Sequence, residues 1–353
     1  MSVYKNTIKS SIRYLQLWRI AKAVNKKSPL ALMYHGVTNN PDVTDWTQLS
    51  LPEFERQMNY IKEFYNIVKP EELFEMLKTG SIIQNTAILT FDDGYQSVFE
   101  HAFPILRKLN IPAAIYITSR FIRDKAEKIS FLWPDRVKIL IKSSGEKNLN
   151  LESFGLGQYS LISPEEKRDS IRQLNYRLKL IPDSFRKRVI DHLESHYGSE
   201  FKAGLENLYN PMSWNQVLEL HNSGLFHIGA HTRNHPILSQ TPVDELRDEI
   251  LGSKNDLETK LNIKIAGFAY PNGRLQDISK ESYRLVSENF DYAFTTESGR
   301  VTYKDNRYLL RRIGIGSAVR FNDFRILVSG AYYLNKKPLE MEMLATGSQY
   351  NER

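Results

Sequence analysis

Short apolar runs alternate with stretches of helical period along most of the chain. The runs are 29–34 (PLALMY), 66–69, 86–91 (TAILTF), 112–118 (PAAIYIT), 226–230 (FHIGA), 265–270 (IAGFAY), 292–296 (YAFTT) and 308–315. Between them lie helical patterns, in which apolar residues recur at three and four. Residues 51–65 place Phe54, Met58 and Ile61 on one helix face, with Ser50 and Glu53 spaced for a capping box. Residues 95–109, 242–261 and 279–290 read the same way. Strand, helix, strand in repetition predicts parallel strands joined by crossover helices. About seven to eight such units predict a distorted (β/α) barrel rather than an open sheet.

One block interrupts this rhythm. Residues 120–212 exceed any single crossover, carry many charges and are strongly helical from Ser163 to His196, where Ser163, Pro164 and Glu166 make a helix start. We read the block as a helical insertion on a barrel spanning residues 28–320. Residues 1–27 are read as an N-terminal segment and 321–353 as a C-terminal tail with no clear period beyond 329. Within the first, residues 8–23 form an amphipathic basic helix. Ile12, Leu15, Ile20 and Val24 lie near one side, and Lys9, Arg13, Arg19 and Lys22 among the others. Such a helix either packs on the domain or meets an anionic membrane surface.

Composition narrows the chemistry. The chain has 353 residues and no Cys, so disulfides and thiolate metal sites are excluded and any metal rests on His, Asp and Glu. A net charge of +7 is mild over this length and comes with no basic-aromatic module, so no nucleic-acid partner is expected. No segment reaches the roughly 20 apolar residues of a membrane span, and no signal-peptide pattern opens the chain. The expected location is cytoplasmic.

The polar residues gather at strand ends. The first run leads into His35, the third into Asp92-Asp93-Gly94, the fifth into 231-HTRNH-235 and the sixth into 270-YPNG-273. In barrels of this kind the carboxyl ends of the strands build the active site. Adjacent carboxylates resist joint ionisation unless something positive stands by. His231 and His235, four apart, would share one side of a helical turn, the spacing of a metal pair. Two His and one carboxylate form a common catalytic zinc set, and the Asp pair supplies the carboxylate. A cation would then hold Asp93 charged and leave Asp92 as a base. The plainer alternatives are an Asp-Gly turn and two unrelated loop histidines.

Together these residues resemble the polysaccharide deacetylase family, carbohydrate esterase family 4, over roughly residues 28–320. Its T-F-D-D-G motif is matched by Thr90-Phe91-Asp92-Asp93-Gly94, and its H-[ST]-x-x-H motif by His231-Thr232-Arg233-Asn234-His235. The resemblance implies Asp93, His231 and His235 as ligands of a divalent metal (zinc), Asp92 as general base, and the Tyr95 backbone N–H in an oxyanion hole. The family's R-x-x-x-x-P motif lacks its Arg in 268-FAYPNGR-274, and no His follows position 235 to serve as the usual general acid. The pattern is instead similar to the branch containing poly-N-acetylglucosamine deacetylases and enzymes of surface-polysaccharide biosynthesis. In that branch a Tyr-His pair on the first strand supplies the acid, here Tyr34-His35. It also has a Leu-x-Arg-Ile segment, here 310-LRRI-313, whose Arg312 would pair with Asp92. The plainer alternatives are a structural His35 and a surface Arg312. Trp133, Trp214 and Tyr270 either stack on a sugar or fill core.

The resemblance implies a hydrolase removing an N-acetyl group from a polysaccharide, an oligosaccharide or a lipid- or nucleotide-linked glycan precursor. The other classes considered are an O-deacetylase or deformylase on a glycan, and an inactive carbohydrate-binding relative.

Overall fold

The computed structural model describes residues 17–40, 45–124, 130–197 and 206–333, together with 339 and 344. Seven strands form a closed parallel barrel. They are β1 (Leu30–Tyr34), β5 (Thr86–Asp93), β6 (Ala113–Ile117), β9 (Phe226–Ala230), β10 (Gly267–Ala269), β11 (Tyr292–Ser298) and β12 (Leu310–Gly314). The order β1-β12-β11-β10-β9-β6-β5 closes through pairing of β1 with β5, Leu30 opposite Ala87 through Tyr34 opposite Phe91. An eighth strand, β4 (Asn66–Ile67), pairs Ile67 with Ala87, low on β5, while β6 joins the same edge higher up, from Thr90. All eight expected runs are strands, and the barrel is the distorted one that the alternation predicts.

Helices follow the strands as crossovers. α2 (Leu51–Phe64), α3 (Pro70–Thr79), α4 (Phe103–Leu109), α8 (Trp214–Asn222), α9 (Val243–Leu261) and α10 (Lys280–Asn289) cover the barrel. α2 buries Phe54, Met58 and Ile61 as its spacing requires. Its capping box does not form. The Ser50 backbone already lies in a short parallel pair, β2 (Gly36–Thr38) with β3 (Gln48–Ser50), and Glu53 turns instead to Arg56 at 3.8 Å. The box at Ser163 does form, Ser163 N donating to Glu166 at 3.0 Å and Glu166 N to Ser163 Oγ at 3.1 Å.

The 120–212 block holds α5 (Trp133–Ser143), an antiparallel pair β7 (Asn148–Asn150) and β8 (Gln158–Ser160), then α6 (Pro164–Leu178) and α7 (Asp183–Tyr197). Val137, Leu140, Leu174, Leu178, Val189 and Leu193 build an apolar cluster of its own beside the barrel core. At the chain's start, α1 (Leu17–Val24) presents Ile20 and Val24 to solvent at 63% and 69% exposure. Its buried side is Ala21, and Lys22 lies over the Phe64 ring at 4.1 Å. The expected apolar side is therefore the outward one here. Residues 8–16 of the expected basic helix, with Lys9, Ile12, Arg13 and Leu15, lie outside the described residues. No helix of the described residues is long and apolar enough to cross a membrane. Residues 321–329 of the expected tail form α11 (Phe321–Ser329), tied to the end of α1 by Asn25 Nδ2 donating to the Ser329 carbonyl at 3.1 Å.

Phe91 sits at the centre of this frame. Its ring meets those of Tyr34, Phe54 and Phe226 at 5.6, 6.1 and 6.0 Å, with no exposure. Phe91→Ala should cost about 3–5 kcal/mol of stability, since the neighbours close such a cavity only in part. A thermal melt with an unchanged midpoint would remove Phe91 from the core.

Candidate active site

The barrel delivers its reactive groups to one end because three adjacent strands finish in register. β6 lies between β5 and β9. Its last carbonyl, on Ile117, accepts from His231 N at 2.9 Å, and Thr118 N donates to the Asp93 carbonyl at 3.1 Å. The backbone of one strand end thus spaces two side chains from the strands on either side.

Asp93 Oδ1 stands 3.4 Å from His231 Nε2 and 3.3 Å from His235 Nε2, and all three residues are buried. The oxygen has no hydrogen-bond partner. Three ligand atoms around one ion, with tetrahedral angles and bonds of about 2.0–2.1 Å, lie about 3.3–3.4 Å apart. The orphaned carboxylate oxygen and its spacing therefore fit a small divalent cation. His231 Nδ1 faces the Ala269 carbonyl at 2.7 Å, which fixes the N–H on that nitrogen and leaves Nε2 free to ligate. Burial holds His235 at about 3, hence neutral, with the Asp93 charge offsetting only part of the effect. Burial pushes His231 down as well, but the two aspartates together lift it above its usual value. A cation here competes with a proton for Nε2.

The 231–235 segment is not a helical turn. Thr232 and His235 have φ of 67° and 57°, and Asp93 has 76°. Two left-handed residues fold the loop back so that both imidazoles meet one oxygen. Left-handed non-glycine backbone is unfavourable and persists only where the surroundings fix it. The fixing comes from α9. Glu249 accepts from Arg233 N and Asn234 N at 3.1 and 2.9 Å, Asp256 takes the Arg233 guanidinium at 2.7 and 2.9 Å, and His235 N donates to Thr232 Oγ1 at 3.1 Å.

Asp92 is neutralised separately. Arg312, on β12 and without exposure, donates to Asp92 Oδ1 and Oδ2 at 2.7 Å each. It spends its remaining donors on the Thr295 carbonyl at 3.0 Å and Thr90 Oγ1 at 3.1 Å. Burial alone would raise the Asp92 carboxyl, yet Arg312 and then His231 bring it below the usual carboxylate range. It is an ionised acid in a dry site.

A cavity of about 320 Å³ opens over these groups and is also lined by His35, Tyr95, Trp46, Asp135, Lys138 and Lys179. The His35 ring is pushed below its usual pKa by burial, the two aspartates partly offsetting this, and its Nδ1 has no partner. Trp46 stands against it edge-on at 4.8 Å and is 53% exposed, an open aromatic face beside the site. The Tyr95 N–H donates to no acceptor among the described residues, because the Gly94 carbonyl and the Gln96 N–H carry the pairing with 210–212 on either side. The Tyr95 phenol donates to Asp135 at 2.6 Å, Lys138 bridges Asp135 and Asp45 at 3.0 and 3.1 Å, and the Tyr209 phenol donates to Asp45 at 2.5 Å. Burial raises Asp135 to about 6, with Lys138 and Tyr95 opposing.

Of the expected aromatics, Trp133 and Tyr270 do not line the cavity. The Trp133 ring is buried in the insertion's apolar cluster, and its Nε1 donates to the His235 carbonyl at 3.2 Å, a prop under the loop rather than a sugar platform. Tyr270 is buried in the barrel core with Phe268 against it at 5.2 Å. Trp214 packs on the outside of the same core under Lys260. The exposed aromatic at the cavity is Trp46, which the sequence pattern did not single out because it lies in a loop with no period.

Residues 79–289 match the family model described as polysaccharide deacetylase. The match takes in Asp92, Asp93, His231 and His235, with His35 and Arg312 outside it. The Bacillus subtilis (strain 168) protein YxkH, which carries the same family name, is 28% identical over 175 residues, 48% of this chain and 57% of its own length. The poly-beta-1,6-N-acetyl-D-glucosamine N-deacetylase of Staphylococcus epidermidis is 26% identical over 110 residues, 28% of this chain and 38% of that enzyme. The alignments thus span less than two thirds of either relative. The Streptococcus pyogenes deacetylase PplD, solved in complex with acetate, superposes with a TM-score of 0.54 at 18% identity, across 84% of this chain and 96% of that one, a likeness of fold. With its model matched over more than half of the sequence, the family is established: this chain belongs to the polysaccharide deacetylases.

Proposed function

We propose that the protein is a metal-dependent hydrolase that removes an N-acetyl group from a sugar of a glycan or glycan precursor, with zinc as its ion. The observation that carries this is the pair of buried carboxylates with different partners. Asp93 is left open to a cation between two imidazoles, and Asp92 is held ionised by Arg312 beside it.

An amide resists hydrolysis unless its carbonyl is polarised, a water is activated and the departing nitrogen is protonated. Asp93, His231 and His235 would hold the ion, which when bound polarises the carbonyl and lowers the pKa of a water from about 15.7 to about 7. The chain's own groups do the rest. Asp92 accepts the water's proton as the attack on the carbonyl carbon begins. The unengaged Tyr95 N–H donates to the oxygen that gains charge. His35, also on the cavity wall, gives a proton to the leaving nitrogen as the C–N bond breaks, releasing acetate and an amino sugar. Trp46 offers its face to the sugar ring. Arg312 never meets substrate in this scheme; it sets the charge of the base.

Three measurements test the scheme. Asp92→Asn should retain zinc by elemental analysis while acetate release from N-acetylated oligosaccharides falls by about a hundredfold or more; near-normal turnover would dismiss Asp92 as the base. His235→Ala should lose the ion, and full zinc occupancy in that variant would strike His235 from the ligand set. Arg312→Met removes the partner that depresses the Asp92 pKa, so the base stays protonated to higher pH. The acid limb of the kcat/KM profile should move upward, and stability should drop by about 3–5 kcal/mol as a buried charge loses its partner. An acid limb left in place would separate Arg312 from the base.

A further inference from the structure

The cavity over the metal site does not end at the barrel. It shares Trp46, Lys138, Asn175 and Lys179 with a second groove of about 470 Å³ that runs outward between Trp46 and the insertion helices α5 and α6. A single sugar at the metal site leaves this groove to be filled by whatever is bonded to that sugar.

The charges along the continuous surface do not balance. Asp45 and Asp135 are both satisfied by Lys138. Asp169 pairs with Arg172 at 3.0 Å, and Arg168 with Glu165 at 2.9 Å. Asp92 belongs to Arg312. Lys142 donates to the Tyr209 phenol at 3.3 Å, and that phenol donates to Asp45 at 2.5 Å. Lys138 alone serves two carboxylates, so Lys142 completes the balance for Asp45, and the cations left over on the walls are Lys179 and Arg274. Among the described residues neither side chain forms an ion pair with a carboxylate; Asp277, which does not line the cavity, spends one oxygen on the Arg274 backbone N–H at 3.2 Å. Lys179 is half-buried, and burial pushes its pKa down, Asp277 offsetting only part of this. Holding an unmatched ammonium in a partly dry wall is unfavourable, and an anion arriving there relieves it. Neutral glycans need no such surplus.

We propose that this groove is a subsite for an acidic group, a phosphate or a carboxylate, carried next to the N-acetylated sugar, with Lys179 and Arg274 at the cavity mouth as the residues that select it. The substrate class is then an anionic N-acetylated glycan: either a sugar joined to phosphate, as in a nucleotide- or lipid-linked precursor, or a polymer alternating with uronic acid. The proposal rests on the deacetylase reading for the group at the metal and adds what stands beside it.

The test compares three probes on the zinc-loaded full chain. They are a neutral oligomer of N-acetylglucosamine, UDP-N-acetylglucosamine, and an oligosaccharide alternating glucuronate with N-acetylglucosamine. Binding is read by calorimetry and, separately, acetate release by kcat and KM. At least one anionic probe should bind about tenfold or more tightly than the neutral oligomer at low salt, and which one it is identifies the source of the anion. The advantage should shrink at high salt and fall to within about threefold in Lys179→Met and Arg274→Met, with the change in KM rather than kcat. Arg274→Lys should restore most of what Arg274→Met loses. Equal binding of all three probes by the unaltered chain, or a preference that survives both Met variants, overturns the subsite. Anion-selective binding without acetate release from any probe would instead uphold the subsite and overturn the deacetylase reading beneath it.

Discussion

Two neighbouring carboxylates in a buried strand end are the constraint around which this structure is arranged. Each would have to be neutral if left alone, because burial and its neighbour both oppose ionisation. The fold answers with two separate devices. Arg312 crosses the barrel from β12 to take both oxygens of Asp92, and its other donors are anchored to Thr295 and Thr90 so that the guanidinium has one position. Asp93 receives two imidazoles and a gap. In a regular strand the two side chains would leave on opposite faces. The φ of 76° at Asp93 breaks that alternation, and both carboxylates line the same cavity. Gly94 follows at φ 107°, with the Ile122 side chain 2.7 Å from where a Cβ would stand, so the turn after the motif admits no side chain.

The strained backbone around the site has its support outside the site. Asp93, Thr232 and His235 are held left-handed by pairing with β6, by the acids of α9 and by Trp133 from the insertion. Gly252 on α9 belongs to the same arrangement, because a Cβ there would lie 2.5 Å from the Arg233 guanidinium. The ion proposed for this site would meet three buried ligand atoms held together by the fold, with no loop to order first, which preserves affinity.

Much of this was legible in the sequence, for identifiable reasons. Strands buried in a closed parallel barrel read as continuous apolar runs, so β1, β5, β6 and β9 announce themselves, and a polar residue ending such a run is conspicuous. His35, Asp92, Asp93 and His231 were found that way. The geometry of 231–235 was not. A spacing of four suggests a helical turn, whereas the convergence here comes from left-handed residues whose φ no periodicity encodes. Arg312 entered only through resemblance, since an Arg in an LRRI run gives no sign of facing inward. Trp46, Asp135 and Lys138 escaped because they meet through tertiary closure: one lies in a loop before β3 and two on α5, in a segment read only as an interruption. The Ser50 box failed for a related reason, its backbone having been drawn into the β2–β3 pair.

That interruption joins the barrel's chemistry to its surroundings. Tyr95, immediately after the aspartate motif, reaches Asp135 on α5; Lys138, one turn along, reaches Asp45 beside Trp46; and Tyr209 closes the chain of contacts from the far end of the insertion. All are buried, so each hydrogen bond is worth more than at a surface, and a missing member would leave its partner exposed to the full desolvation penalty. The network therefore fixes together the backbone that carries the Tyr95 N–H, the open indole and the helix that starts the cationic groove. On the proposed reading, barrel strands decide which bond is attacked, and the insertion, joined to them through buried charge, decides what lies beside it.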